Sequence, residues 1–419
     1  MLHLFFLRGR VLGAVASVAI LVSSAFAGSH ERVVYTFKGT PDGAAPSAGL
    51  VEDAHGNFYG TTVSGGVSND GTVFRLSRNS NGTWTETVLY SFSGLDGQSP
   101  VASLVLDAAG NLYGTTAGGG AYGGGTAFEV SPSGSGWTES VLHSFGNGQD
   151  GWDPQAEMVF DGAGNLYGTT QLGGAIFGRG DDNGGTVFRL TPTTSGWTET
   201  ILYSFTGEYL GPDPNLPAGS VVLAKNGNIY GVAQSGGANG QGAVYQLAPN
   251  SDGSYTESVI FSFNVSNGAV PNSTPVQDAS GNLYGTTRQG GDGTCSSIGC
   301  GLVYKLTSNG DGTWSETVLH ELNGRDGTTA IGPPAFDSAG NLYAAAQAGG
   351  ADSAGSIFEL IPRSTGPWSE SVLHTFTGGT DGAAPQAGVT IDSSGNLFGT
   401  ASAGGADKSG VAFEIVHSQ

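Results

Sequence analysis

The chain has 419 residues and a formal charge of −21, from 14 basic against 35 acidic side chains. An excess of that size repels nucleic acid and anionic lipid headgroups, and it excludes them as partners. Glycine fills 74 positions without a G-X-Y period, which excludes collagen, and aromatics at 10% exclude a disordered chain.

Residues 1–27 differ from the rest. Arg8 and Arg10 precede an apolar run from Val11 to Val22, and Ala25-Phe26-Ala27 supplies small residues at the −3 and −1 positions. This reads as a secretory signal peptide cleaved after Ala27. The rival reading, a membrane anchor, needs a longer apolar run. Removing residues 1–27 leaves 12 basic against 35 acidic side chains, a charge of −23. Residues 28–419 are expected to form one acidic domain without a membrane span. It would be secreted or periplasmic, and monomeric.

From Val33 onward the chain repeats. A phrase seen in full at Asp107-Ala-Ala-Gly-Asn-Leu-Tyr-Gly-Thr-Thr116 recurs with its Gly at 56, 110, 164, 227, 281, 340 and 395, in steps of 54, 54, 63, 54, 59 and 55 residues. A period of this size marks a propeller, a solenoid or an array. Each unit holds four strand-like pieces. Piece A is short, apolar and ends in an acid, as in Val101–Asp107, Gln155–Asp161 and Gln386–Asp392. Piece B is Asn-Leu-Tyr-Gly-Thr-Thr, joined to A by a tight turn in which Asp folds back on the backbone and Gly supplies the positive φ. Piece C is Gly-x-x-aromatic-x-aliphatic, with Phe74, Phe128, Phe188, Tyr245, Tyr304, Phe358 and Phe413 as its aromatics. Piece D is Trp84-Thr-Glu-Thr-Val-Leu-Tyr-Ser-Phe92 and its relatives. β-branched and aromatic residues bounded by Gly, Ser and Asn make all four strands. No helical period appears outside residues 1–27.

The phase of the repeat selects among architectures. The last A-B-C triplet ends at Ile415 with no D after it, and Arg32-Val-Val-Tyr-Thr-Phe37 at the other end matches the tail of D. A solenoid has no use for this split, whereas a ring does, because the first strand can complete the last sheet. The expectation is an all-β, seven-bladed β-propeller with four antiparallel strands per blade, A innermost and D outermost, closed by the N-terminal strand.

The succession Trp-Thr-Glu-Thr-Val-Leu-Tyr-Ser-Phe, Gly-x-x-Asp-Gly-x-x-Pro, Asp-x-x-Gly-Asn-Leu-Tyr-Gly-Thr-Thr resembles the Gloeo/Verruco tandem repeat family of exported bacterial proteins, from about Val33 to Ile415. The resemblance implies export and carries over no activity and no catalytic residue. Two units depart from the motif: Ala224 replaces the turn Asp in unit four, and Ala344-Ala-Ala346 replaces Gly-Thr-Thr in unit six.

A residue present in every unit is structural before it is chemical, since an active site needs asymmetry. Glu86, Glu139, Glu199, Glu257, Glu316 and Glu370 share one place in D and read as solvent-facing or turn-bonded acids. His143, His320 and His374 stand where other units have Tyr35, Tyr90 or Tyr203, which weakens any His-based mechanism. In the D-A loops Asp42, Asp96, Asp150, Asp213, Asp326 and Asp381 read either as turn chemistry or as a ring of carboxylates drawing in cations. No cofactor is expected, with calcium as the one alternative. The nearest approach to a calcium loop is Asp181-Asp182-Asn183, which lacks EF-hand spacing. Cys295 and Cys300 are expected to form a disulfide. Zinc, the alternative, wants four ligands, and no histidine lies near.

The D-A and B-C loops emerge on one face, and the irregular residues gather there. They are Tyr122, Trp152, Phe177, Arg179, Asp181, Asp182, Glu208 and Tyr209, on units two to four. Exposed aromatics with polar neighbours can stack on a sugar ring and bond its hydroxyls. The same side chains could instead pack the longer loops together. Arg288, Asp292 and the cysteine loop form a second irregular patch. Three functions follow: a non-catalytic binder of carbohydrate or another envelope component, a polysaccharide hydrolase or lyase using Asp150, Asp181, Asp182 or Glu208, and a protein-interaction scaffold.

Overall fold

The computed structural model describes residues 29–175, 184–206, 212–291, 295 and 297–416. These form seven antiparallel sheets in a ring. Blade 2 shows the plan: A is Val105–Leu106, B is Leu112–Thr116, C is Thr126–Ser133 and D is Gly136–Ser144, hydrogen-bonded in that order. Strand A is only two residues long in most blades and extends to Asn215–Leu223 in blade 4. The only helix among the described residues is the 3-10 turn Val265–Asn267 in a D-A loop.

The ring closes as the phase offset requires. His30–Thr36 pairs antiparallel with Val411–Val416, from His30 against Val416 to Thr36 against Val411, and so forms strand D of blade 7. Arg32 also pairs with Glu414, and the Phe37 N–H donates to Gly410 O at 3.0 Å.

The core is seven wedges between blades rather than one central mass. The tryptophan at the start of D in blades 1, 2, 3, 5 and 6 lies against the aromatic of strand B in the preceding blade: Trp137 on Tyr59 at 6.2 Å, Trp197 on Tyr113 at 6.3 Å, Trp314 on Tyr230 at 5.7 Å. Toward the other end of D a second aromatic meets strand C of the following blade: Phe92 on Phe128, Phe145 on Phe188, Phe205 on Tyr245. The seam between blades 7 and 1 is built alike, with Phe37 on Phe74 at 5.0 Å and Phe58 stacked on Phe398 at 4.1 Å. A bulge in D opposite strand C, between Val73 and Phe74 and at the equivalent places, adds twist and turns Leu89 and Leu319 into these wedges.

The recurring glycine of strand B has a steric reason. A Cβ on Gly114 would stand 2.6 Å from the Phe128 ring. The Asp of each A-B turn is a local clamp. Asp107 accepts the N–H groups of Ala109 and Asn111, the Asn111 amide and the Tyr113 hydroxyl. Burial pushes its carboxyl upward, but the hydrogen bonds prevail and hold it below the usual carboxylate range. Neither departure breaks a strand: Ile229–Ser235 follows Ala224, and Leu342–Ala348 contains Ala344.

Candidate functional site

The D-A loops reach the axis in a repeated form. Ala45, Ser99, Asp153, Leu216, Val270, Thr329 and Ala384 occupy one place in the seven copies, and each has a left-handed φ between 54° and 62°. This conformation costs a non-glycine residue about 1 kcal/mol. It turns the chain so that the loop hooks onto the neighbouring blade. The Ser99 N–H donates to Asp70 O, the Asp153 N–H to Gly124 O and the Ala384 N–H to Ala354 O, at 2.8–2.9 Å. Strand A then begins beside the axis.

The loop aspartates are occupied in this scaffold. Asp42 accepts the Tyr35 hydroxyl at 2.9 Å and the N–H groups of Lys38 and Gly43. Asp326 faces His320 Nε2 at 2.8 Å and accepts the Asn323 N–H. Asp150 faces His143 Nε2 at 3.2 Å and accepts the Gly146 N–H. Histidine and tyrosine thus serve one structural role in D, and the geometry favours turn chemistry over a ring of free carboxylates. His143, Asp150 and Glu199 present donor atoms within 4.8 Å of one another, the one such group among the described residues that could hold a metal ion. It is a copy of the repeated clamp.

The glutamates of D differ from the solvent-facing expectation. Alternation along D puts them on the tryptophan face, so Thr85 and Thr87 point outward while Glu86 is half-buried against the preceding blade. Burial, then the nearby Asp42 or Asp96, pushes Glu86 and Glu139 up to about 7. Glu199 and Glu257 reach the same value, again mainly through burial.

Of the irregular residues expected to converge, the structure places two. Tyr122 is 51% exposed on the B-C loop of blade 2. Trp152 lies on the adjoining D-A loop, which the bond from Asp153 to Gly124 ties to the loop of Tyr122. The Trp152 backbone exchanges hydrogen bonds with Leu172 at 2.8 and 3.1 Å, and its ring passes so close to Gly146 and Gly173 that a Cβ on either would stand 3.2 Å away. Trp152 therefore packs two loops and keeps part of its surface open. Phe177, Arg179, Asp181, Asp182, Glu208 and Tyr209 lie outside the described residues, as does Asp292. Arg288 is exposed at the end of strand B of blade 5. Cys295 and Cys300 are joined, with Cα atoms 5.3 Å apart.

Sequence reasoning missed the axis itself. Where strands A begin and strands B end, on the face of the D-A and B-C loops, the blades enclose a cavity of about 360 Å³. Its wall is carboxamide and hydroxyl, with Gln155, Gln171, Gln234, Asn272, Ser103 and Thr274 among the lining residues. Gln155 donates to Gln171 at 3.2 Å and to Asp153 at 2.8 Å, and Gln234 donates to Asn272 at 2.5 Å. Burial raises the Asp153 carboxyl, an effect that the Gln155 bond partly offsets. One ionisable side chain, Glu157, lines the cavity, and burial pushes it up to about 7. Its signal was legible. Four residues before the turn position the other copies carry Gly49, Ser103, Ser220, Thr274, Pro333 and Gly388, so Glu157 is the asymmetric member.

The Gloeobacter/Verrucomicrobia repeat model matches residues 17–223 and 216–419. No curated protein matches the sequence. Among solved structures, a candidate gluconolactonase is similar at 17% identity and a TM-score of 0.43, over 76% of this chain and 89% of its own. A gluconolactonase from Xanthomonas campestris is similar at 16% identity and a TM-score of 0.43, over 75% of this chain and 86% of its own. At this distance neither bears on the chemistry of the site.

Proposed function

Since this chain belongs to the Gloeobacter/Verrucomicrobia repeat family, whose repeat builds all seven blades and the axial cavity they enclose, we propose that it binds a small carbohydrate at the axial mouth of its D-A and B-C loop face, without catalysis. The observation that carries this reading is the cavity wall. Carboxamides and hydroxyls both donate and accept, which matches the alternating demands of sugar hydroxyls. The volume of about 360 Å³ falls at the lower end of small-molecule sites, roughly 300–1,000 Å³. Among the described residues no basic side chain lines it, so phosphorylated or acidic sugars meet no counter-charge from them. Trp152 and Tyr122 stand on loops of the same face and offer ring surface to a sugar that projects outward. The cysteine bridge fits an extracellular or periplasmic setting, and no helix of the described residues is long and apolar enough to cross a membrane.

The test is calorimetry or affinity electrophoresis against neutral mono- and disaccharides. Ala387 lines the cavity and is half-exposed, so Ala387→Phe should abolish binding while the protein melts normally. Trp152→Ala should weaken binding about 2- to 10-fold, the worth of one partly exposed ring contact of roughly 0.5–1.5 kcal/mol. Affinity unchanged in both variants would refute the proposal. A second reading, a protein-interaction scaffold, is favoured by Leu95, 84% exposed, and Val67, 78% exposed, on loops of that face. A binding partner lost in Leu95→Asp but kept in Ala387→Phe would support it.

A further inference from the structure

We infer that the axial site selects a sugar bearing one positive charge, an amino sugar with a free amine, and that Glu157 is the residue that selects it. This rests on the proposed carbohydrate site and narrows its ligand. Three observations converge on it.

The first is isolation. Among the described residues Glu157 is the one ionisable side chain lining the cavity, and burial alone acts on it. Among the described residues no hydrogen bond and no neighbouring charge reaches its carboxyl. A half-buried carboxylate without a partner is unfavourable, and an opposite charge brought into contact relieves it. None of the described residues supplies such a charge, so the complement falls to the ligand.

The second is the company Glu157 keeps. Beyond it the wall is uncharged, with the amides of Gln155, Gln171, Gln234 and Asn272 in two mutually bonded pairs. A ligand that satisfies this wall has one cationic group and several hydroxyls. A bare divalent cation fits poorly, since calcium takes about six to eight oxygen ligands, usually from several carboxylates. A lysine side chain of a protein partner brings the charge but leaves the hydroxyl-matching wall unused.

The third is placement. At this register the other six copies carry Gly, Ser, Thr or Pro. One acid in a ring of small residues breaks the seven-fold symmetry at the axis and fixes where around the wall the amine docks. The charge of −23 expected after removal of residues 1–27 draws cations toward this mouth.

The experiment is titration calorimetry of the protein at pH 6, where the sugar amine is already protonated, in two buffers of different ionisation enthalpy. The probes are a glucosamine disaccharide with one amine free and the other acetylated, its fully N-acetylated form, cellobiose, a lysine amide and calcium chloride. An amine docking on Glu157 stabilises the carboxylate, so the glucosamine disaccharide should bind at least tenfold more tightly than the two neutral sugars and release a fraction of a proton. Glu157→Gln keeps the shape of the side chain. It should bring the affinity for the charged sugar down to that of the two neutral sugars and erase the proton release. Equal affinity for charged and neutral sugars, proton uptake, or an unchanged preference in Glu157→Gln would overturn the inference and leave the carbohydrate site standing. So would calcium or the lysine amide binding in place of the amino sugar. Failure of every sugar to bind would remove both.

Discussion

Replacement of Phe37 by Ala tests ring closure with a built-in control. Phe37 is fully buried, packs on Phe74 of blade 1 at 5.0 Å, and donates its N–H to Gly410 of blade 7 at 3.0 Å. Phe205, in the middle of the chain, has the same surroundings. It is fully buried, lies 5.0 Å from Tyr245 of the next blade, and donates to Gly185 at 3.0 Å. Truncating a buried phenylalanine costs about 3–5 kcal/mol, as lost transfer energy plus the cavity left behind. If the first strand is an integral part of blade 7, Phe37→Ala and Phe205→Ala should be destabilised by equal amounts within about 1 kcal/mol, and both should unfold in one transition. The assay is guanidinium unfolding followed by tryptophan fluorescence, with equal slopes required before midpoints are compared. A Phe37→Ala midpoint at the wild-type value, beside a lowered Phe205→Ala midpoint, would refute closure by this strand.

Two further outcomes concern protons and the turn clamp. Burial raises Glu86 from 4.5 to about 7, so the folded state prefers its protonated form. The stability this contributes is complete below 4.5 and is lost as pH rises through 7. Glu86→Gln should match wild type in melting temperature near pH 4.5 and exceed it at pH 8, and a gap independent of pH would contradict the burial argument. Asp107 is lowered, so its contribution is present above the ordinary value of 3.8 and is lost as pH falls through the lower folded value. Asp107→Asn should cost about 1–3 kcal/mol at pH 7, the worth of hydrogen bonds to a charged group, and much less in acid. The converse is Ala224→Asp, which restores the clamp beside Asn228 and Tyr230 and should raise the melting temperature. Chemical denaturation and calorimetry over pH 3–9 check all three.

The architecture was legible because it rests on local periodicity. Alternation in Trp84–Ser91, the turn formed by Asp107 and Gly110, and the stray Arg32–Phe37 segment together specify four strands, seven sheets and their closure. The D glutamates were misread because alternation gives two faces without saying which is covered. The tryptophan on the same face as Glu86 was the available hint. The loop cluster was half legible: Tyr122 and Trp152 do occupy adjoining loops, but the contact of Trp152 with Gly146 and Gly173 depends on how two loops fold over each other, which no periodicity encodes. Glu157 was missed for a different reason. Strand A is only two residues long in most blades, and the register at which one acid stands among small residues shows only when the seven copies are aligned on their turn residue.

The bond from Arg32 to Glu414 joins residues 382 positions apart. During synthesis His30–Thr36 therefore waits, unpaired, until Val411–Val416 has been made. Separately produced halves of such a molecule carry mutually fitting ends, and mixing them should rebuild one body. By the same logic, crowded, newly made chains are prone to trade opening strands and become linked dimers.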